Sequence, residues 1–215
     1  MQIHIWSDVV CPWCYLGKRR FERALAEFEH RDVVRVTHRS FQLDPARPRG
    51  ETSSRRSMLI SKYRLSEAQV VEMDENMEEM AEAEGLEYHL TDEGLTGNTL
   101  EAHQLVHLAS SHDLQDAMLE RFYRAYFTEQ QSLFDRETLV ALGAEVGLDP
   151  TEARQALERD AFVDAVNDDL NEAKLLGISG VPFFVVDGRY GISGAQQPEL
   201  FTKVLARTWD ERDAD

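Results

Sequence analysis

The chain contains two cysteines, and they stand three apart in Cys11-Pro12-Trp13-Cys14. Residues i and i+3 of a helix lie about 5 to 6 Å apart, inside the roughly 4.4 to 6.8 Å Cα separation a disulfide needs, so this pair can close and reopen. The strand-like run Ile3-His4-Ile5-Trp6 precedes it and a helical pattern follows. At a helix N-terminus the first amide N–H groups are unpaired and carry partial positive charge, which favours a thiolate at Cys11. Helix-terminal charge effects are usually about 0.3 to 1 kcal/mol, so direct amide contacts to sulfur have to add to them. Pro12 pre-sets φ for the first helical turn and gives up an amide that would be orphaned anyway. Trp13 projects from that turn, either towards a client or into ordinary packing. Asp8 either takes the proton that Cys14 releases or is a solvated loop carboxylate or helix cap. A structural zinc site needs four ligands. The nearest histidine, His4, belongs to no ligand-spaced motif, so the pair reads as redox-active with no metal.

Around this motif the pattern predicts a strand over Gln2–Trp6, a helix from Cys14 to about Glu29 and a second strand within Val33–Leu43. Lys18, Arg19, Arg20 and Arg23 along the helix read as a solvated face. From Asp44 to Gly177 the signals are helical. Ser66-Glu67-Ala68-Gln69 is a capping box, further starts fall near Asn98, Asp113, Asp135 and Asp149-Pro150, and a last helix runs from about Ala161 to Leu176. Met73, Met77 and Met80 recur at helical spacing and read as core or groove filling. Phe183–Val186, the turn pair Asp187-Gly188 and Arg189–Ile192 form a β-hairpin signal. A final helix begins near Gln197-Pro198. The order is β-α-β, a helical stretch, then β-β-α.

With 23 basic and 40 acidic residues in 215, the formal net charge is −17. That balance repels nucleic-acid phosphates and anionic membrane surfaces, so neither is expected as a partner. The first residues lack a basic, then apolar, leader pattern, and no run approaches the roughly 18 apolar residues needed to span a bilayer. A cytoplasmic location is therefore expected. In a reducing compartment, two cysteines are poor candidates for a structural staple and better ones for catalysis.

Several segments together resemble the DsbA-like branch of the thioredoxin fold, and most closely its cytoplasmic FrnE-type members. They are Ser7-Asp8-Val9-Val10-Cys11-Pro12-Trp13-Cys14-Tyr15-Leu16-Gly17, Phe41-Gln42-Leu43-Asp44-Pro45, Gly97-Asn98-Thr99 with Ala102-His103, Gly180-Val181-Pro182-Phe183-Phe184, and Ser193-Gly194-Ala195-Gln196. The resemblance implies an α/β protein: a thioredoxin-like domain of residues 1–45 plus 178–215, carrying an all-helical domain, 46–177, between its second and third strands. It also implies thiol-disulfide oxidoreductase or isomerase activity and a cis Val181-Pro182 bond facing the cysteines. A Val-Pro bond costs only about 0.5 to 1 kcal/mol to hold cis, so the chemistry allows it. The backbone of Val181 would then pair with an extended substrate as an added strand does. Some FrnE-type proteins carry a second cysteine pair towards the C-terminus, which this chain lacks, so a relay through such a pair is not open to it.

The expected roles are Cys11 as the outer, more exposed nucleophile, Cys14 as the buried resolving thiol, and Pro182 with Val181 as substrate-positioning residues. Pro12, Trp13 and Phe41 are candidate substrate contacts. Asn98 and His103 line the face towards the cysteines by resemblance, and by pattern alone read as a helix cap and a satisfied interfacial histidine. Gly194, Ala195 and Gln196 open the last helix, where free amides suit a carboxylate such as that of glutathione, or are a plain helix start. The expected partner is a thiol or disulfide, in a protein or a small molecule, with no resident cofactor and glutathione as a candidate co-substrate. Two rivals share the architecture. One is a glutathione-dependent enzyme of the kappa transferase or 2-hydroxychromene-2-carboxylate isomerase type, a class that resembles this one but has serine where Cys11 stands. The other is a chaperone-like binding module.

Overall fold

Strand β1 (Gln2–Ser7) sends Ile3 and Ile5 to one face of a sheet and Trp6 to the other, the period-two consequence of extended backbone. In the computed structural model of the chain, which describes residues 1–90 and 94–212, this sheet has the order β2-β1-β5-β6. The last three residues of the expected 178–215 segment lie outside the described ones. Strand β2 (Arg35–Ser40) runs parallel to β1, so a crossover must join them, and α1 (Pro12–Glu27) supplies it. Strand β5 (Phe183–Val186) is antiparallel to β1, and β6 (Tyr190–Ser193) is antiparallel to β5. The hairpin between them turns at Asp187 and Gly188, with φ of 52° and 66°, the positive pair that a two-residue turn between twisted strands requires.

The Ile3 and Ile5 face carries Phe184 and Val186 as cross-strand neighbours and packs on Phe21 and Ala24 of α1, on Phe28 just past its end, and on Phe201 and Leu205 of α9 (Pro198–Arg212). The rings of Phe184 and Phe201 meet at 4.7 Å, with Phe21 at 5.6 and 5.7 Å from them. Each buried ring contributes about 1.5 to 3 kcal/mol, so this aromatic triad pins α1, and with it the cysteine turn, onto the sheet. On the opposite face, fully buried Trp6 gathers Phe41, Val181, Phe183 and Val185 together with Ala173 and Ile178.

The chain forms two compact units, residues 1–43 with 169–215, and residues 44–168. The second unit holds α2 (Arg55–Tyr63), α3 (Glu67–Ala83), α4 (Leu100–Ser110), α5 (Gln115–Phe127), α6 (Arg136–Glu145), α7 (Pro150–Glu158) and the first turns of α8 (Val163–Leu175). The helical segment expected here also carries a two-stranded antiparallel ribbon, β3 (Thr52–Ser54) with β4 (Leu95–Gly97). The capping box at Ser66 and Gln69 is present in both directions, and Asp135 and Asp149 cap α6 and α7 through their carboxylates. Helix α2, which the pattern does not predict, starts at Ser54, whose hydroxyl accepts the Ser57 N–H at 3.3 Å. It is fastened to α3 by a buried bidentate pair, Arg55 to Asp74, at 2.7 and 2.9 Å. Of the methionines on α3, Met77 is buried and Met73 is 37 % exposed, so core filling holds for the first and not the second. Among the described residues no helix is long and apolar enough to cross a membrane.

Candidate active site

Cys11 is the N-cap of α1, with extended backbone, and Pro12 occupies the first helical position as expected. The Cys14 and Tyr15 amides both donate to the Cys11 carbonyl, which places Cys14 one turn along on the same side of the helix. Both cysteines are free thiols. The Sγ of Cys11 stands 3.7 Å from the Val181 carbonyl, and the Val181-Pro182 bond is cis. The backbone just ahead of β5 therefore lies directly against the Cys11 sulfur. The cysteine side chain makes no cap bond to the first amides of α1, so the direct amide contact expected from the sequence is replaced by this carbonyl and by Cys14.

Gly17 lets the helix come this close. A Cβ there would stand 2.8 Å from Cγ of Pro182 and 3.4 Å from Cα and Cβ of Ala195, so no side chain fits without moving the proline. The Gly194 amide donates to the Pro182 carbonyl at 2.8 Å, one rung beyond the Phe183 and Ser193 pair. The structure thus brings Cys11, Cys14, Val181, Pro182, Gly194 and Ala195 together. Trp13 is 42 % exposed, and Pro12 is half-buried beside it. Phe41 joins Val181 in the cluster around Trp6.

Four expectations need correction. Cys11 is no exposed sulfur: it is 4 % exposed and Cys14 2 %, so the pair differs little in burial. Lys18 and Arg20 are not a solvated face; they are 4 % and 7 % exposed, Lys18 paired with Glu22 and Arg20 donating to the Ala195 carbonyl at 2.7 Å. Asp8 is not solvated. It is 1 % exposed and its carboxylate accepts the Leu43 N–H at 2.8 Å. Gly194, Ala195 and Gln196 precede α9 rather than open it, because Pro198 takes its first position; the Gly194 and Gln196 amides are already bonded to the Pro182 and Gly194 carbonyls. The Gln196 side chain likewise donates to the Ser193 carbonyl.

Asn98 and His103 lie in the second unit. The Asn98 side chain donates to the Arg47 carbonyl at 2.6 Å and accepts the Leu100 N–H at 2.9 Å, closing the start of α4 as a cap does, while Thr99 holds the N-cap position. His103 is 1 % exposed within α4. Gly17 and Asp169 are given no role by the sequence reading, and Arg20 only that of a solvated face. Asp169 is buried on α8, its carboxylate accepting the Ser40 N–H at 2.8 Å and Arg39 at 2.9 Å, and its carbonyl accepting the Trp6 indole N–H at 3.0 Å.

Burial, first of all, pushes the Cys14 thiol well above its ordinary value. A hydrogen bond to Cys11 and the charge on that sulfur add to the rise, and the Asp8 backbone N–H opposes it. Cys14 is therefore a protonated thiol at neutral pH. A thiol whose pKa rises on folding binds its proton more tightly in the native chain. Its contribution to stability is complete below the ordinary thiol value near 9 and is lost as pH rises above it. The disulfide form has no such proton. Thermal melts of the reduced and oxidised proteins between about pH 8 and 10.5 should diverge, the reduced form losing Tm relative to the oxidised one. Parallel curves would mean that folding leaves the Cys14 thiol unperturbed.

The profile described as "DSBA-like thioredoxin domain" matches residues 2–206. A crystal structure of a probable DsbA oxidoreductase from Streptomyces coelicolor is 47 % identical, with 98 % of this chain and 91 % of that one covered and a TM-score of 0.94. The YwbO protein of Bacillus subtilis (strain 168), which carries no described activity, is 28 % identical over 211 residues, 96 % of each chain. A cytosolic disulfide reductase, DsbM from Pseudomonas aeruginosa, solved with GSH, shares the fold at 19 % identity and a TM-score of 0.69, covering 98 % of this chain and all of its own. With its family profile spanning nearly every residue, and with a helix-capping Cys-x-x-Cys pair set against a cis-proline on a β2-β1-β5-β6 sheet, the chain belongs to the DSBA-like thioredoxin domain family.

Proposed function

We propose that the protein is a thiol-disulfide oxidoreductase in which Cys11 is the nucleophile and Cys14 the resolving thiol. The observation that carries this reading is the free Cys11 sulfur, 3.7 Å from the Val181 carbonyl beside a cis proline, with a second thiol one helical turn away. As a thiolate, Cys11 attacks one sulfur of a substrate disulfide, forming a mixed disulfide and releasing the other sulfur as a thiolate. Cys14, once deprotonated, attacks Cys11, closing the internal bond and releasing the second substrate thiolate. The reverse sequence oxidises a dithiol. Val181 and Pro182 align the substrate chain, with Trp13 as an exposed contact beside the sulfur. The domain division into 1–45 plus 178–215 and 46–177, and a cytoplasmic setting with glutathione as co-substrate, belong to the same reading. A fold neighbour solved with GSH supports the glutathione part.

Equilibration in glutathione buffers of graded potential, followed by acid quench and mass analysis, tests it. The expected result is a single two-electron transition in which the protein loses two hydrogens. Its midpoint sets the direction of electron flow, since about 30 mV against the surrounding poise already corresponds to about 1.4 kcal/mol. A pair that stays reduced in strongly oxidising buffer, with no internal bond formed, would overturn the proposal.

A further inference from the structure

Arg20 lies on α1 one turn beyond Gly17 and is 7 % exposed. Burying a guanidinium is costly unless its donors are used, and a hydrocarbon side chain would fill the same space. Here one donor is aimed at a single backbone atom, the Ala195 carbonyl, at 2.7 Å. Ala195 follows Gly194, which holds a positive φ of 80° and donates its N–H to the Pro182 carbonyl at 2.8 Å. Gly17 meets the same two residues, Pro182 and Ala195, by close packing. One face of α1 thus grips both sides of the rung that ends the β5 and β6 hairpin, by contact at Gly17 and by a charge-assisted hydrogen bond at Arg20. The residue before that rung, Val181, is the one whose carbonyl faces Cys11.

We infer that Arg20 is a positioning residue: through Ala195 and Gly194 it fixes the Val181-Pro182 segment against Cys11, and so sets the alignment of the disulfide under attack without touching it. This rests on the exchange reading above. It separates alignment from sulfur reactivity, because alkylation of Cys11 by iodoacetamide needs no substrate chain laid along Val181.

The test compares the full-length native protein with Arg20→Met and Arg20→Lys. It reads kcat/KM on a disulfide-bonded peptide, the iodoacetamide rate at Cys11, and hydrogen exchange at the Gly194 amide. Arg20→Met is expected to lose about 10- to 30-fold in kcat/KM, equivalent to about 1.4 to 2 kcal/mol at about 1.36 per tenfold. Its Gly194 amide should exchange about tenfold faster, with alkylation within about twofold of native. Arg20→Lys, which keeps a charged donor, should recover to within about threefold. Exchange activity within about twofold of native in Arg20→Met, an unaltered Gly194 amide, or alkylation falling in step with exchange would each overturn the inference. If the native protein exchanges no disulfide, the exchange reading fails in its own reference measurement, while the Gly194 amide still reports whether Arg20 holds the rung.

Discussion

Cys11→Ser is expected to lower disulfide exchange by about a thousandfold or more, because a serine hydroxyl has no anion to offer near neutrality and forms no bond to sulfur that a second thiol can displace. Cys14→Ser should behave differently. It leaves the attacking sulfur and the Val181 carbonyl in place, so glutathione disulfide still reacts, but the mixed disulfide then has no neighbour to resolve it. Mass analysis after brief exposure to glutathione disulfide should therefore find one glutathionyl adduct on Cys14→Ser and none on Cys11→Ser. The burial of Cys14 and its raised pKa sharpen the contrast. Resolution in the native protein waits for a proton to leave a buried thiol, so it should accelerate with rising pH. An adduct on Cys11→Ser at the remaining cysteine would reverse the assigned order of attack. A Cys11→Ser protein that kept full activity would move the chain to the glutathione-dependent class that has serine at this position.

The parts of this site that follow local rules are readable from the residues. The capping box at Ser66, the aspartate caps at Asp135 and Asp149, the Asp187-Gly188 turn and the proline at the first position of α1 each depend on a few adjacent residues. Lys18 and Arg20 mislead because charge type suggests solvent. Yet Lys18 falls with Cys14, Gly17 and Phe21 at the i, i+3, i+4, i+7 spacing of the buried stripe. Weight given to spacing over residue type would have placed it correctly. Asp8 is less accessible to any such argument. Its partner is the Leu43 amide, 35 residues on, and only the parallel pairing of β1 with β2 brings the two together. The Gly194 and Gln196 amides are spent on carbonyls through the hairpin register and a turn, neither of which their composition reveals.

Asp169→Ala should be among the most destabilising single changes in the first unit. Three acceptor contacts converge on this residue at the ends of the two strands that lead into the cysteine turn and the Phe41 segment. Ser40 N–H and Arg39 bond its carboxylate, and the Trp6 indole bonds its carbonyl. Removing the carboxylate takes away the acceptor of the buried Ser40 N–H and strips Arg39 of its nearest anion, leaving Glu172 at 3.8 Å. A fully buried broken pair costs about 3 to 5 kcal/mol, but the Arg39 side chain is 29 % exposed and recovers some hydration, so about 2 to 4 is expected. In a chain of this length that corresponds to a Tm lower by roughly 4 to 16 °C. Asp169→Asn keeps an acceptor for Ser40 and should lose about half as much. The double variant Arg39→Met with Asp169→Ala separates pairing from packing. If the charges are coupled, its loss should fall short of the sum of the single losses by about 1 kcal/mol or more. Strict additivity would place the cost in contacts of Asp169 other than the Arg39 pair. Exchange activity measured well below the lowered Tm adds a second reading. The Ser40 bond lies next to Phe41, whose N–H donates to Ser7, and Ser7 adjoins Asp8, whose N–H bonds the Cys14 sulfur. Loosening at Asp169 should therefore reach the resolving thiol before it reaches Pro182, and show as slower resolution of the mixed disulfide with its formation unchanged.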